Sequence, residues 1–143
     1  MANIVPDSFK TNLLGGVFDF GSSGGSTFKI ALYTSLGNFS TSTTSYSTTN
    51  EVSSSGTSYT AGGNTLTNNG VAVASNVAYV DFADLTFSSV TLSAVGALIY
   101  KATSNEAVLV LDFGGTKTAT NGDFVIQFPT ANSSNAIIRL GDA

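Results

Sequence analysis

Four aspartates, Asp81, Asp84, Asp112 and Asp123, hold most of the chemical promise of this chain. Two carboxylates can divide the acid and base roles of glycoside hydrolysis, and Asp oxygens also suit calcium. The spacing supports neither strongly. There is no compact DxDxD-type loop, and each Asp sits beside a strand end, where this residue ordinarily satisfies turn backbone. Gly21-Ser22-Ser23-Gly24-Gly25 has the look of a phosphate cradle, but a cradle needs a strand before it and a helix after it, and here a strand follows. Gly114-Gly115-Thr116-Lys117-Thr118 lies between two strand signals and reads as a turn. Tyr33, Tyr46, Tyr59, Tyr79 and Tyr100 offer faces on which sugars or bases could stack, although Tyr is also an ordinary strand and interface residue.

The rest of the usual catalytic repertoire is missing. The chain has no histidine and no cysteine, so it lacks both the proton shuttle that works near neutral pH and the soft metal ligands. No catalytic residue, cofactor site or metal site is assigned, and the expectation is a protein that is not an enzyme. Its five basic residues, Lys10, Lys29, Lys101, Lys117 and Arg139, are scattered. Nucleic-acid binding needs a clustered positive footprint, so nucleic acid is set aside. No window approaches the apolar run of a membrane-spanning helix. Met1 to Asp19 lacks the basic lead and apolar stretch of a secretory signal, which predicts a soluble protein made in the cytoplasm. The Asn38-Phe39-Ser40 and Asn132-Ser133-Ser134 acceptor patterns are then chance matches in a Ser-rich chain.

These side chains need a scaffold, and the patterning supplies a β one. At 143 residues the expectation is one domain over residues 1–143, long enough to bury a real core. Low charge with ordinary apolar content argues against disorder. Pro6, Asp7 and Ser8 followed by Phe9, Leu13 and Leu14 predict a short helix that Gly15-Gly16 ends. With the glycine-rich stretch Gly21 to Gly25 read as a hinge, residues 1–25 form a candidate arm. Thr27 to Thr34 alternates, with Phe28, Ile30 and Leu32 on one face and Lys29, Ala31 and Tyr33 on the other, which predicts a half-buried strand. Asn38 to Tyr59 is almost wholly Ser, Thr, Gly and Asn. A polar stretch of that length is either a disordered loop or an extended arm that orders against something else, and Phe39, Tyr46 and Tyr59 carry apolar area that wants a surface.

Further strands are predicted at Asn64 to Thr67, Val71 to Ala74, Val77 to Phe82, Leu85 to Phe87, Val90 to Ala94 and Gly96 to Lys101. Others follow at Ala107 to Phe113, Phe124 to Phe128 and Asn135 to Leu140. Asn121-Gly122 reads as a turn, and the doubly apolar Ala107 to Leu111 as sheet centre. Many short strands between frequent turn signals imply an all-β, two-sheet sandwich of jelly-roll or immunoglobulin-like type, with a short N-terminal helix.

Six strings in order carry a resemblance: Phe28-Lys29-Ile30-Ala31-Leu32-Tyr33; Asn50-Glu51-Val52; Tyr59-Thr60-Ala61-Gly62-Gly63; Gly96-Ala97-Leu98-Ile99-Tyr100; Val110-Leu111-Asp112-Phe113-Gly114; and Phe124-Val125-Ile126-Gln127-Phe128-Pro129. In that order and spacing the chain, from about Phe9 to Leu140, resembles a group of small virion proteins of tailed bacteriophages encoded among the head genes. The resemblance implies an all-β capsid decoration, or cement, protein on the outer face of the capsid. Its partners would be the major capsid protein and, as a dimer or trimer, further copies of itself. It carries no catalytic residue across. The residues expected to touch a partner are Phe9, Leu13, Phe39, Tyr46 and Tyr59. The alternative from a different class is a carbohydrate- or receptor-binding module of a tail or fibre, motivated by the tyrosines.

Overall fold

The computed structural model describes residues 2–141, which form a two-sheet antiparallel β sandwich with one short helix near the N-terminus. The helix α1 spans Asp7–Leu14. Pro6 stands at its N-cap with extended backbone, Asp7 supplies the acidic first turn and Gly15 closes it. The larger sheet is ordered β2 (Asn64–Thr65), β1 (Phe28–Tyr33), β5 (Leu85–Lys101), β6 (Ala107–Ile126). The smaller is ordered β3 (Asn68–Ala74), β4 (Val77–Phe82), β7 (Ile138–Leu140).

The alternation of β1 sets the layers. Phe28, Ile30 and Leu32 face the main core between the sheets, and Ala31 and Tyr33 face a second, smaller core on the other side. The strand is therefore covered on both faces rather than half-buried. The main core is rich in phenylalanine: Phe20 stacks on Phe28 at 4.7 Å and 5°, with Phe9, Phe18 and Phe82 around them. Each ring taken from water contributes about 1.5–3 kcal/mol. This cluster draws in α1 and the stretch after it, because Phe9, Phe18 and Phe20 are all buried there.

Within the described residues the candidate arm, 2–25, is consequently packed down, and Gly21 to Gly25 is not a hinge. The Ser26 amide donates to the Asp19 carbonyl at 2.8 Å, the Asp19 amide to the Ser26 hydroxyl at 3.0 Å, and the Gly21 amide to Asp19 Oδ1 at 2.8 Å. The glycines thus sit in a closed turn.

Segments predicted as separate strands merge. Leu85 to Lys101 is one strand, and so is Ala107 to Ile126. The expected turns at Gly114-Gly115 and Asn121-Gly122 are irregularities within β6. Asp112 pairs with Gly96 and Lys117 with Ala94, so the residues between Asp112 and Lys117 stand opposite Val95 alone. Nearer the far end, Thr91 faces Thr120 and Asn121 between the pairs Leu92↔Ala119 and Val90↔Gly122, and the Asn121 amide donates to Thr91 Oγ1 at 3.0 Å. Bulges of this kind bend a strand and sharpen its twist, which lets one long hairpin serve both the sheet centre and the sandwich end.

The Ser/Thr-rich segment is ordered against the body. It lies over the outer face of the larger sheet as a lid, anchored by Leu36 and Phe39, which are buried with Ala31, Tyr33, Leu98 and Tyr100. Its backbone is tied at both ends and in the middle: Thr34 N to Asn50 O at 2.8 Å, Val52 N to Leu32 O at 2.9 Å, Tyr46 N to Asn105 O at 2.8 Å and Asp7 N to Thr41 O at 2.9 Å. The neighbouring Gly62-Gly63 turn pins it further, since the Tyr100 hydroxyl donates to the Gly62 carbonyl at 2.6 Å.

Candidate functional site

Charge is scarce under the lid, and one carboxylate is placed there. Glu51 pairs in an isolated bridge with Tyr33, which brings its side chain over the sheet face. Glu51 Oε1 accepts from the Tyr59 hydroxyl at 2.7 Å and from the Gly62 amide at 2.6 Å, and Oε2 accepts from the Tyr46 hydroxyl at 2.6 Å. The Tyr59 oxygen in turn accepts from the Leu32 amide at 3.0 Å, and the Tyr33 hydroxyl donates to the Ser47 carbonyl at 2.6 Å. Tyr46 stacks on Tyr100 at 4.7 Å and 19°. Two tyrosine hydroxyls therefore bind one acid, and two more tyrosines, Tyr33 and Tyr100, stand around it with their hydroxyls on the Ser47 and Gly62 carbonyls. Such charge-assisted bonds are short and strong, and among the described residues no buried side-chain nitrogen or oxygen lacks a partner.

Burial, reinforced by the negative charge of Glu51, raises all four phenols above the ordinary tyrosine range. Tyr100 is pushed up to about 12, and Tyr33, Tyr46 and Tyr59 go further. A group whose pKa is raised by folding stabilises the fold below its unfolded value, near 10, and loses that contribution as pH rises toward the folded value. The lid should therefore open in alkali from about pH 10 upward. In a pH titration, the tyrosinate absorbance of these four rings is expected to rise together with the loss of native circular dichroism. A smooth titration at pH 10 with the β spectrum intact would contradict the arrangement.

These positions correct the expected contact points. Phe9, Phe39 and Tyr59 are buried at 4, 6 and 3% exposure. Leu13 packs against the main core and Tyr46 against the smaller one. Phe39 meets Tyr33 edge-on at 4.8 Å. Phe39, Tyr59 and the half-buried Tyr46 thus seal the lid to the sheet, whereas Phe9 and the half-buried Leu13 pack on the core from the wall of a surface groove between α1 and β7. The tyrosine platform is likewise turned inward, and Tyr79, on β4, stands apart from it. Glu51 was not singled out from the sequence. The signal that could have found it is a lone acid in a long uncharged stretch with tyrosines on both sides.

The four aspartates hold backbone and turn groups. Asp84 accepts from the Phe128 amide at 2.8 Å, Asp112 from the Gly114 amide at 2.9 Å, Asp123 from the Ser89 amide at 3.3 Å and Asp81 from the Asn69 side chain at 2.9 Å. The Gly114 amide holds the Asp112 carboxyl below the usual range. Among the described residues no three His, Cys, Asp or Glu side chains gather as metal ligands would.

Two surface features remain. A groove of about 500 Å³ runs along β6, lined by Asp112, Phe113, Lys117, Asp123 and Gln127 among others. A second, more apolar groove of about 520 Å³ lies between α1 and β7, lined by Val5, Leu13, Leu14, Ile138 and Leu140 and rimmed by Lys10 and Arg139. Leu14 is 83% exposed and Leu140 60%. Comparison of the chain with protein-family models, with curated proteins and with solved structures gave no match.

Proposed function

We propose that this chain is a non-enzymatic virion structural protein: a decoration, or cement, protein that binds the major capsid protein on the outer surface of a tailed-phage head and stabilises it. It would be made in the host cytoplasm and act in the virion. The ordered strings from Phe28 to Pro129 motivate the reading. The observation that carries it is the exposed leucine groove between α1 and β7, set on a body whose apparent arms are sealed down. Large apolar side chains facing water in one patch mark interaction sites on soluble proteins, and a rigid body loses little entropy when it binds.

Imaging purified virions tests the role. A copy number that follows the number of capsid subunits supports it, and finding the protein only at the tail overturns it. Leu14→Asp and Leu140→Asp should each weaken binding to capsids by on the order of tenfold or more, as loss of a central apolar anchor does. Because both side chains are exposed, the melting temperature should hardly move. Unchanged capsid binding by the double variant would remove the groove from the interface.

One observation favours a second reading, a carbohydrate-binding module of a tail or fibre. In the β6 groove, Phe113 lies among two carboxylates, an amide and an amine, a mixture that suits sugar hydroxyls. Glycan-array binding abolished by Phe113→Ala would support it, and uniformly blank arrays would remove it.

A further inference from the structure

Sheet edges are templates for pairing, and proteins usually blunt them. Three of the four edges here are blunted. The β6 edge is occupied from Ala107 to Asp112, by the lid, whose Thr44 carbonyl takes the Ala107 amide at 3.0 Å, by Ile4, which exchanges 2.9 Å bonds with Val110, and by Asn3, which takes the Asp112 amide; farther along it is broken by two bulges and carries Lys117 and Asp123. The β2 edge is two residues long, and β7 is three residues long and carries Arg139. The β3 edge has an irregularity at Asn68/Gly70 and, among the described residues, none of these devices beyond it. Its outer half, Val71-Ala72-Val73-Ala74, has no charge and no proline, and it is exposed on both faces, with Val71 at 56% and Val73 at 72%.

The hairpin fixes which backbone groups are free. Ser75 and Asn76 form a two-residue turn with φ of 51° and 63°, closing on the pair Ala74↔Val77. In such a turn the closing pair is hydrogen-bonded. Alternation then aims the N–H and C=O groups of Val71 and Val73 away from β4, toward the open side. This is a self-complementary array: set antiparallel about a two-fold axis at Ala72, Val71 of one strand meets Val73 of the other, and all eight groups pair. An isologous contact requires that kind of symmetry, and the uncharged stretch meets its copy with no like-charge repulsion.

The geometry points to a second copy of this chain as the occupant of the β3 edge. The two three-stranded sheets join through antiparallel β3 strands centred on Ala72 into one continuous sheet. The contact does not depend on the capsid reading, and it uses a different face from the α1–β7 groove.

The absence of native cysteine makes the test clean. In the paired state, directly opposed Ala72 residues form a non-hydrogen-bonded pair with Cα atoms about 4.5 Å apart, within disulfide reach. Ala72→Cys should therefore oxidise to a covalent dimer on the order of a hundredfold faster than Ser55→Cys on the exposed lid, the advantage of a paired over a diffusive encounter. Sedimentation equilibrium of the unmodified chain should show mass above the 14.6 kDa monomer. Val71→Lys with Val73→Lys should return it to monomer without changing the native circular dichroism. Equal oxidation rates for the two cysteine variants overturn the proposal. So does a monomer mass at every concentration, which would leave the edge to a different protein's strand.

Discussion

Glu51→Ala should lower the melting temperature by about 10 °C, corresponding to roughly 3–5 kcal/mol at about 2–4 °C for each kcal/mol in a domain of this size. The change removes one ionised acceptor and strands three donors: the Tyr46 and Tyr59 hydroxyls and the Gly62 amide. Leaving a buried donor without a partner costs its full desolvation, about 1–3 kcal/mol each, and the three losses overlap because they share one site. Glu51→Gln should recover roughly half of the loss. Its oxygen still serves Tyr59 and Gly62, and its amide can donate to a reoriented Tyr46 hydroxyl. Hydrogen exchange locates the effect: the amides of Val52 and Tyr46, which hold the lid down, and of Leu32, which donates to the Tyr59 hydroxyl, should lose protection while those of Ala97 to Tyr100, paired with both β1 and β6, keep theirs. A Glu51→Ala chain that melts at the native temperature would show that the convergence of tyrosines on this acid contributes nothing to stability.

Gly63→Ala should prevent folding altogether. The backbone at Gly63 has φ of 77°, and a Cβ there would lie 1.8 Å from the Ile30 carbonyl oxygen and 2.8 Å from the Ala31 Cα. Both atoms belong to the backbone of β1, the strand that separates the two cores, so neither can move aside without breaking the sheet. A cost of about 4–5 kcal/mol or more is a large share of the roughly 5–15 kcal/mol that holds a domain together. Gly56→Ala is the control. Its φ is nearly the same at 73°, but nothing lies within 4 Å of the added carbon, so only the left-handed backbone is penalised, at about 1–2 kcal/mol. Soluble expression and circular dichroism of the two variants separate the effects. A folded Gly63→Ala would mean that the lid turn does not sit against β1 as described.

The parts of this fold legible in the sequence are those specified by local pattern. Val77 to Phe82 is β4 to the residue, because turn-forming residues bracket a β-rich run. The alternation of Phe28 to Tyr33 shows the strand and which residues share a face. It cannot show that the second face is covered too, since Ala31 and Tyr33 are buried by Leu36 and Phe39 from the lid. The lid reads from sequence as either disordered or an arm that orders against something else, because its composition is nearly all hydroxyl and amide. What orders it is a few well-separated apolar anchors and one acid, whose partners lie on other segments. The Gly114-Gly115 and Asn121-Gly122 signals were real, in that both sites bear positive φ. A positive φ serves a bulge as well as a turn, and only the pairing partner on β5 distinguishes them. The aromatic residues expected outside are inside for the same reason: a ring wants a dry surface, and the chain supplies that surface itself.

The pairing of Ile4 with Val110 has a consequence for biosynthesis. While the ribosome is still extending the chain, β1 has no β5 beside it until Lys101 has emerged, and Ile4 has nothing to bind until Val110 follows. The nascent polypeptide therefore travels most of its length with phenylalanines unsheltered, and topologies dominated by distant pairings close slowly. Its solubility during that interval falls to the serines and threonines between the greasy segments. The hydroxyl-rich stretch would thus keep the unfinished chain dissolved before it settles as the cover of the finished sheet.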